Sequence, residues 1–194
     1  ASPHFIFRLE RQPDRVKPGE TYRIGDYELA SRLSFFLWGT PPDEALLATA
    51  GKGLLATPAG LDKVARQMLA DPRSKALGER FAAQWLRLQD ISKVHPDPNF
   101  FPNFDDRVAD AMRTETITFF NDLVRRDASA LDLYRANYSF MNERLARHYG
   151  IAGVSGNQFR RVAYPDDTRR GVLGQGSVLV QTSLANRTSP VLRG

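Results

Sequence analysis

Asp105-Asp-Arg-Val-Ala-Asp-Ala-Met-Arg-Thr-Glu-Thr-Ile-Thr-Phe-Phe-Asn-Asp-Leu-Val-Arg-Arg126 is the longest helical stretch of the chain, and its reading decides the fold. Asp105 is a side chain of the type that caps a helix by accepting from a first-turn N–H. Behind it, Val108, Met112, Phe119 and Leu123 recur on one face. The spacing predicts a helix from Asp106 to about Arg126. A helix with one apolar face must bury it against other elements, and the sequence on either side supplies more helices.

Upstream, Asp26 is expected to cap a helix over Tyr27 to Trp38, with Gly39 as its stop. Thr40, followed by Pro41 and Pro42, opens a short helix over Asp43 to Ala50. Thr57-Pro58 starts another over Ala59 to Leu69, and Asp71-Pro72 starts one through Phe81, Trp85 and Leu88. Three of these starts share one device, a capping side chain and then proline at the first helical position. A connection rich in proline and aromatics runs from Val94 to Phe104 without a regular period. Downstream, Ser129 caps a helix to about Arg135, and Asn142 caps one over Glu143 to Tyr149, stopped by Gly150.

After Gly150 the texture becomes rich in glycine and arginine. Phe159 to Tyr164 reads as a short strand or extended segment, Thr168 to Thr182 as a helix, and Leu184 to Gly194 as extended. The expected fold is all-α, an irregular bundle of about six to eight helices with an extended, arginine-rich C-terminal segment. Residues 1–150 form its helical domain and 151–194 its extension.

Composition bounds the function. The chain has 194 residues, 42% hydrophobic and 25% charged, enough to bury a sizeable core. Cysteine is absent, which excludes disulfides, thiolate metal sites, a cysteine nucleophile and haem attachment of the Cys-x-x-Cys-His kind. The densest apolar patch, Leu33 to Trp38, is far too short to span a bilayer. The chain opens at Ala1 with neither a starting methionine nor a leader, so it is expected to be a processed or excised segment of a larger protein.

The net charge of +5 is unevenly placed: residues 144–194 carry +6, all of it from arginine, and residues 1–143 carry −1. Arginine pairs with carboxylate or phosphate through a planar fork that lysine lacks. Arg160, Arg161, Arg169, Arg170, Arg187 and Arg193 are therefore the candidate docking or anion-binding residues, facing acidic groups of the same or a neighbouring domain. No nucleic-acid module accompanies them, so no nucleic-acid partner is expected.

Glu115 falls on the apolar side of the longest helix, and Arg32 lies beside Leu29, Leu33 and Phe36 on the first. A buried carboxylate and a buried guanidinium need each other. Read as chemistry, Glu115 is a general acid or base of perturbed pKa. Read as structure, Arg32 and Glu115 form an ion pair fixing a helix crossing. The second reading is favoured because no nucleophile or second catalytic group stands nearby in the sequence. His4, His95 and His148 lack a partner ligand at helical spacing, so no metal site is expected. His148 suits a helix C-terminus and is also a weak candidate for a haem ligand. Gly171-Val-Leu-Gly-Gln-Gly176 lacks the spacing of a phosphate loop and reads as close packing.

Several stretches resemble one family when taken in order: Tyr27-Glu-Leu-Ala-Ser-Arg-Leu-Ser-Phe-Phe-Leu-Trp38, Phe81-Ala-Ala-Gln-Trp-Leu86, Ala111-Met-Arg-Thr-Glu-Thr116, Phe140-Met-Asn-Glu-Arg-Leu-Ala-Arg-His-Tyr-Gly150, Arg170-Gly-Val-Leu-Gly-Gln175 and Arg187-Thr-Ser-Pro-Val-Leu-Arg-Gly194. They are similar to the uncharacterised domains of large, secreted planctomycete-type proteins associated with cytochrome c modules. The resemblance implies a periplasmic or extracellular, multi-domain parent, with a second family region beginning near Arg169. It implies no activity and no catalytic residues. No cofactor is expected on this chain, and haem c would belong to a companion domain. The leading expectation is a non-catalytic helical module that docks onto other domains of its parent or onto a partner chain, with a role in electron transfer. The alternative is an extracytoplasmic enzyme domain acting on carbohydrate or another polymer, with Glu115 and Asp110 as acid and base. Two carboxyls on one helix are poorly placed to flank a scissile bond.

Overall fold

The computed structural model describes residue 13 and residues 15–193, without the side chain of Arg193. The fold is mostly helical, and the chain divides into two compact units that meet in sequence at Ala76 and Leu77. The expected boundary at residue 150 thus lies inside the second unit.

The first unit holds α1 (Asp26–Leu37), α2 (Glu44–Gly51) and α3 (Pro58–Ala70), with 3-10 turns at Leu54–Ala56 and Pro72–Ser74. Ala30, Leu37, Trp38, Leu46, Leu55 and Met68 are buried. The Trp38 indole Nε1 donates to the Met68 carbonyl at 2.9 Å, so the ring is both packed and satisfied. Arg73 lies over that ring at 3.5 Å and reaches Asp43 at 2.9 Å and Asp71 at 2.7 Å.

In this unit two helix starts differ from expectation. Asp26 is the first residue of α1, not its cap: Gly25 occupies the cap position, and the Asp26 carboxylate pairs with Arg23. Thr40 does not open α2. Proline holds the residue before it extended, and the side chain that caps is Asp43, which accepts from Leu46 N–H at 2.9 Å. Thr57 and Asp71 do cap, each followed by proline, as expected.

The second unit opens with a π-helical turn, Leu77–Ala82, leading into α4 (Ala83–Trp85) and a 3-10 turn at Leu88–Lys93. The helix expected to run unbroken from Asp71 to Leu88 is interrupted there. Gly78 packs so closely on Asn121 that an added Cβ would stand 2.5 Å from its Oδ1. The long helix α5 (Asp106–Arg125) follows, capped by Asp105 as expected. All four residues read as its apolar face are buried. Then come α6 (Asp132–Arg135), β1 (Tyr138–Met141), α7 (Glu143–His148), β2 (Arg160–Ala163), α8 (Gly176–Gln181) and α9 (Pro190–Arg193). The strands pair antiparallel, Tyr138 against Ala163 and Met141 against Arg160. The core of this unit gathers Ile91, Val108, Met112, Met141, Leu145 and Tyr164 around α5. A second cluster holds Phe119, Leu123, Ala136 and Tyr138.

The C-terminal quarter needs two corrections. Of the helix expected over Thr168 to Thr182, only Gly176–Gln181 is α-helical, with a 3-10 turn at Val172–Gly174 before it. Gly171 breaks it at φ +49°, lying against the backbone of α6, where an added Cβ would stand 2.2 Å from the Leu133 carbonyl oxygen. The tail is not extended throughout: Ser189 and Pro190 start α9, with Ser189 Oγ accepting from Leu192 N–H at 3.4 Å. This is the same polar-residue-then-proline device as at Thr57 and Asp71.

Candidate functional site

The second unit has a polar group at the centre of its core. Glu115 sits midway along α5 with 0% of its surface exposed. Its Oε2 accepts from the Tyr149 hydroxyl at 2.6 Å. That hydroxyl in turn accepts from Gly176 N–H at 2.7 Å, so one tyrosine ties α5 to the first residue of α8. Gly176 permits this approach: an added Cβ would stand 2.8 Å from the Tyr149 oxygen and 2.7 Å from Met112 Cε.

A second chain of hydrogen bonds runs alongside. Thr116 Oγ1 donates to Gln175 Oε1 at 2.7 Å and lies 2.6 Å from Ser177 Oγ. Gln175 Nε2 donates to Ser139 Oγ at 3.2 Å. Thr116, Ser139, Gln175 and Ser177 are all buried. Buried polar groups are tolerated when satisfied, and a connected set then specifies one arrangement of its elements. Here it joins α5, β1 and the segment leading into α8.

Burial pushes the Glu115 carboxyl up to about 7, against the smaller lowering effects of Ser139, Tyr149, Arg169 and Tyr164. Burial likewise raises the Tyr149 and Tyr164 hydroxyls above the usual tyrosine range. Glu115 Oε1 and the Tyr164 oxygen are both buried without a hydrogen-bond partner among the described residues. A proton on Oε1 turns that orphan acceptor into a donor beside the Ser139 and Tyr164 hydroxyls, consistent with the direction of the shift.

The guanidinium that acts on Glu115 is Arg169. Arg169 stacks on the Tyr149 ring at 4.1 Å and donates to the Gly174 carbonyl at 2.7 Å. Arg32, expected to be the buried partner, is exposed and belongs to the first unit. The helical period placed it beside apolar residues, but Phe36 of the same helix is itself 56% exposed, so that stripe does not mark a fully buried face. Asp110 is exposed while Glu115 is sealed, so the two carboxyls share no cleft.

The remaining candidate arginines do different things. Arg170 pairs with Asp167 and donates to the Arg135 carbonyl at 3.4 Å. Arg160 donates to the Ser155 carbonyl at 2.6 Å, and Arg161 lies over the Tyr138 ring at 3.7 Å. Both are exposed and neither meets a carboxylate among the described residues. Arg187 is exposed on a turn, and its guanidinium makes no described contact with a protein group. The Arg193 side chain and His4 lie outside the described residues. His148 ends α7, where burial and then the charges of Arg169 and Arg144 lower its pKa. It lines an apolar cavity of ≈ 480 Å³ with Phe101, Phe104 and Leu179.

A family model matches residues 24–151, about two thirds of the chain, under the description "Protein of unknown function (DUF1592)". The chain belongs to this family. No curated protein and no solved structure matches it. The DUF1592 region contains Glu115, Thr116, Ser139 and Tyr149 but ends before Tyr164, Arg169 and Gln175. The polar core is therefore shared between the family region and the segment that follows it. Sequence reading found Glu115 and Arg169 separately; it missed Tyr149, Tyr164, Ser139 and Gln175, whose signal lay only in their being polar residues amid apolar ones.

Proposed function

We propose that this chain is a non-catalytic helical module that docks onto other domains of an extracytoplasmic, haem-associated parent protein. The observation that carries this reading is the unneutralised guanidinium charge at Arg160 and Arg161 on β2. Exposed arginines without carboxylates of their own suit an acidic partner surface, where they form bidentate pairs. Supporting it, Glu115, the one fully buried carboxyl among the described residues, is closed off from solvent inside a structural network. A general acid or base must reach its substrate's proton, and a group with no exposed surface does not. Among the described residues no helix is long and apolar enough to cross a membrane.

The haem association rests on the resemblance of six stretches to domains that accompany cytochrome c modules. Haem would sit on a companion domain and pass electrons there, while this module holds domains in place.

The test uses the full-length parent protein. Reversing Arg160 and Arg161 to Glu is expected to separate the domains, seen as a larger radius of gyration in X-ray scattering and faster proteolysis between domains. Unchanged dimensions would overturn the docking role. A parent protein lacking a haem Soret band in its visible spectrum would overturn the haem association.

A further inference from the structure

The apolar cavity beside His148 has no part in the polar core or in the arginine edge on β2. Its walls come from the connection before α5, through Phe101 and Phe104, from α8, through Leu179 and Val180, and from the turn beyond α8, through Leu184. Its volume of ≈ 480 Å³ falls within the range of small-molecule sites. The two sides are fastened: Asp97 N–H donates to the Ala185 carbonyl at 2.9 Å. The turn that follows is closed twice, by Leu184 N–H on the Arg187 carbonyl at 2.7 Å and by the bridge between Ser183 and Thr188.

That turn presents Arg187 to the cavity, and the Arg187 guanidinium makes no described contact with a protein group. The same lining carries His148, whose pKa is lowered first by burial and then by the positive charges of Arg169 and Arg144, against a smaller opposing effect of Asp105. A largely apolar chamber with an unpaired guanidinium and a positive field has a definite complement: an apolar body bearing one anionic head.

We propose that this cavity binds a small apolar monocarboxylate, with the carboxylate on Arg187 and the hydrocarbon body against Phe101, Phe104 and Leu179. The planar guanidinium matches a carboxylate through two parallel hydrogen bonds. The desolvated apolar body supplies the rest of the affinity.

The test is calorimetric titration of the 194-residue chain with dodecanoate and dodecyltrimethylammonium, each below its micelle concentration, and with 1-dodecanol below its solubility limit. Dodecanoate is expected to bind one to one. The neutral and cationic probes should bind about ten-fold or more weakly, the loss for one charged hydrogen-bonding group. Arg187→Gln should remove most of the preference for dodecanoate, and Arg187→Lys should keep part of it. Arg187 is exposed, so neither variant should disturb folding, and circular dichroism checks this. A second readout is the His148 imidazole followed by NMR, whose pKa should rise when the bound carboxylate offsets the neighbouring guanidiniums. Equal affinity for the three probes, no binding of dodecanoate, or unchanged selectivity in Arg187→Gln would each overturn the proposal.

Discussion

The Tyr149 hydroxyl stands between the Gly176 N–H and the Glu115 carboxylate. Removing it leaves a buried donor and a buried acceptor without partners, and each carries a desolvation penalty of about 1–3 kcal/mol. Tyr149→Phe is therefore expected to lower the unfolding free energy by roughly 2–4 kcal/mol, measured by urea denaturation; a change under about 0.5 kcal/mol, the range of ordinary surface substitutions, would show that the bridge is not formed. Glu115 was legible as a buried acid because the helical period puts it among Val108, Met112 and Phe119. Its partners were not. Periodicity reports which face of a helix a residue occupies, and Tyr149, Ser139 and Arg169 come from other elements brought there by the fold. Arg32 shows the converse: a residue on an apolar-looking stripe that the tertiary structure leaves exposed.

Capping chemistry carried most of what could be read at the level of elements. Asp105, Thr57, Asp71 and Asn142 cap as their sequences indicate. Asp105 also pairs with Arg144 of α7. Asp105→Ala is expected to destabilise through the lost cap, read as a fall in melting temperature. Asp105→Asn keeps the capping oxygen and should recover most of that loss. What escaped the sequence were places where local pattern and tertiary contact disagree. Tyr138–Met141 is too short to show a strand period, and it becomes a strand by pairing with Arg160–Ala163. The helix read from Thr168 is broken where Gly171 must approach the backbone of α6. Gly171→Ala would place a methyl group against the Leu133 carbonyl at a left-handed φ. It should loosen the segment after it, exposing Arg169 and Arg170 to trypsin earlier than in the parent sequence, whereas an unchanged cleavage pattern would place the strain elsewhere.

On the scale of the whole molecule, the charge imbalance seen in the sequence resolves into distinct roles. Arg169 is drawn into the core network, Arg170 into a local pair with Asp167, and Arg160, Arg161 and Arg187 stay exposed without a carboxylate among the described residues. Counting charges located the cationic quarter; only the structure separates the arginines drawn into pairs and networks from those left exposed. The acidic groups divide in the same way. Asp43, Asp105 and Asp166 are held below the usual carboxylate range, chiefly by hydrogen bonds to their ionised form, so their stabilisation is present above that range and lost as pH falls through it. Glu115 works in the opposite direction. Its carboxyl rises from 4.5 to about 7 on folding, so the folded state binds more protons than the unfolded one across that window. Its contribution is complete below 4.5 and lost as pH rises through about 7.

Glu115 as a sealed structural carboxyl is the point on which the reading of the second unit turns, and its proton linkage tests it most directly. Urea denaturation of the wild-type chain and of Glu115→Gln should be followed from pH 4.5 to above pH 7. Gln keeps an acceptor for Tyr149 and cannot ionise, so every other group titrates alike in the two proteins. The wild type is expected to lose stability relative to the variant by about 3 kcal/mol across the window. Parallel curves, with no difference in slope, would contradict a buried Glu115 and with it the network built on it.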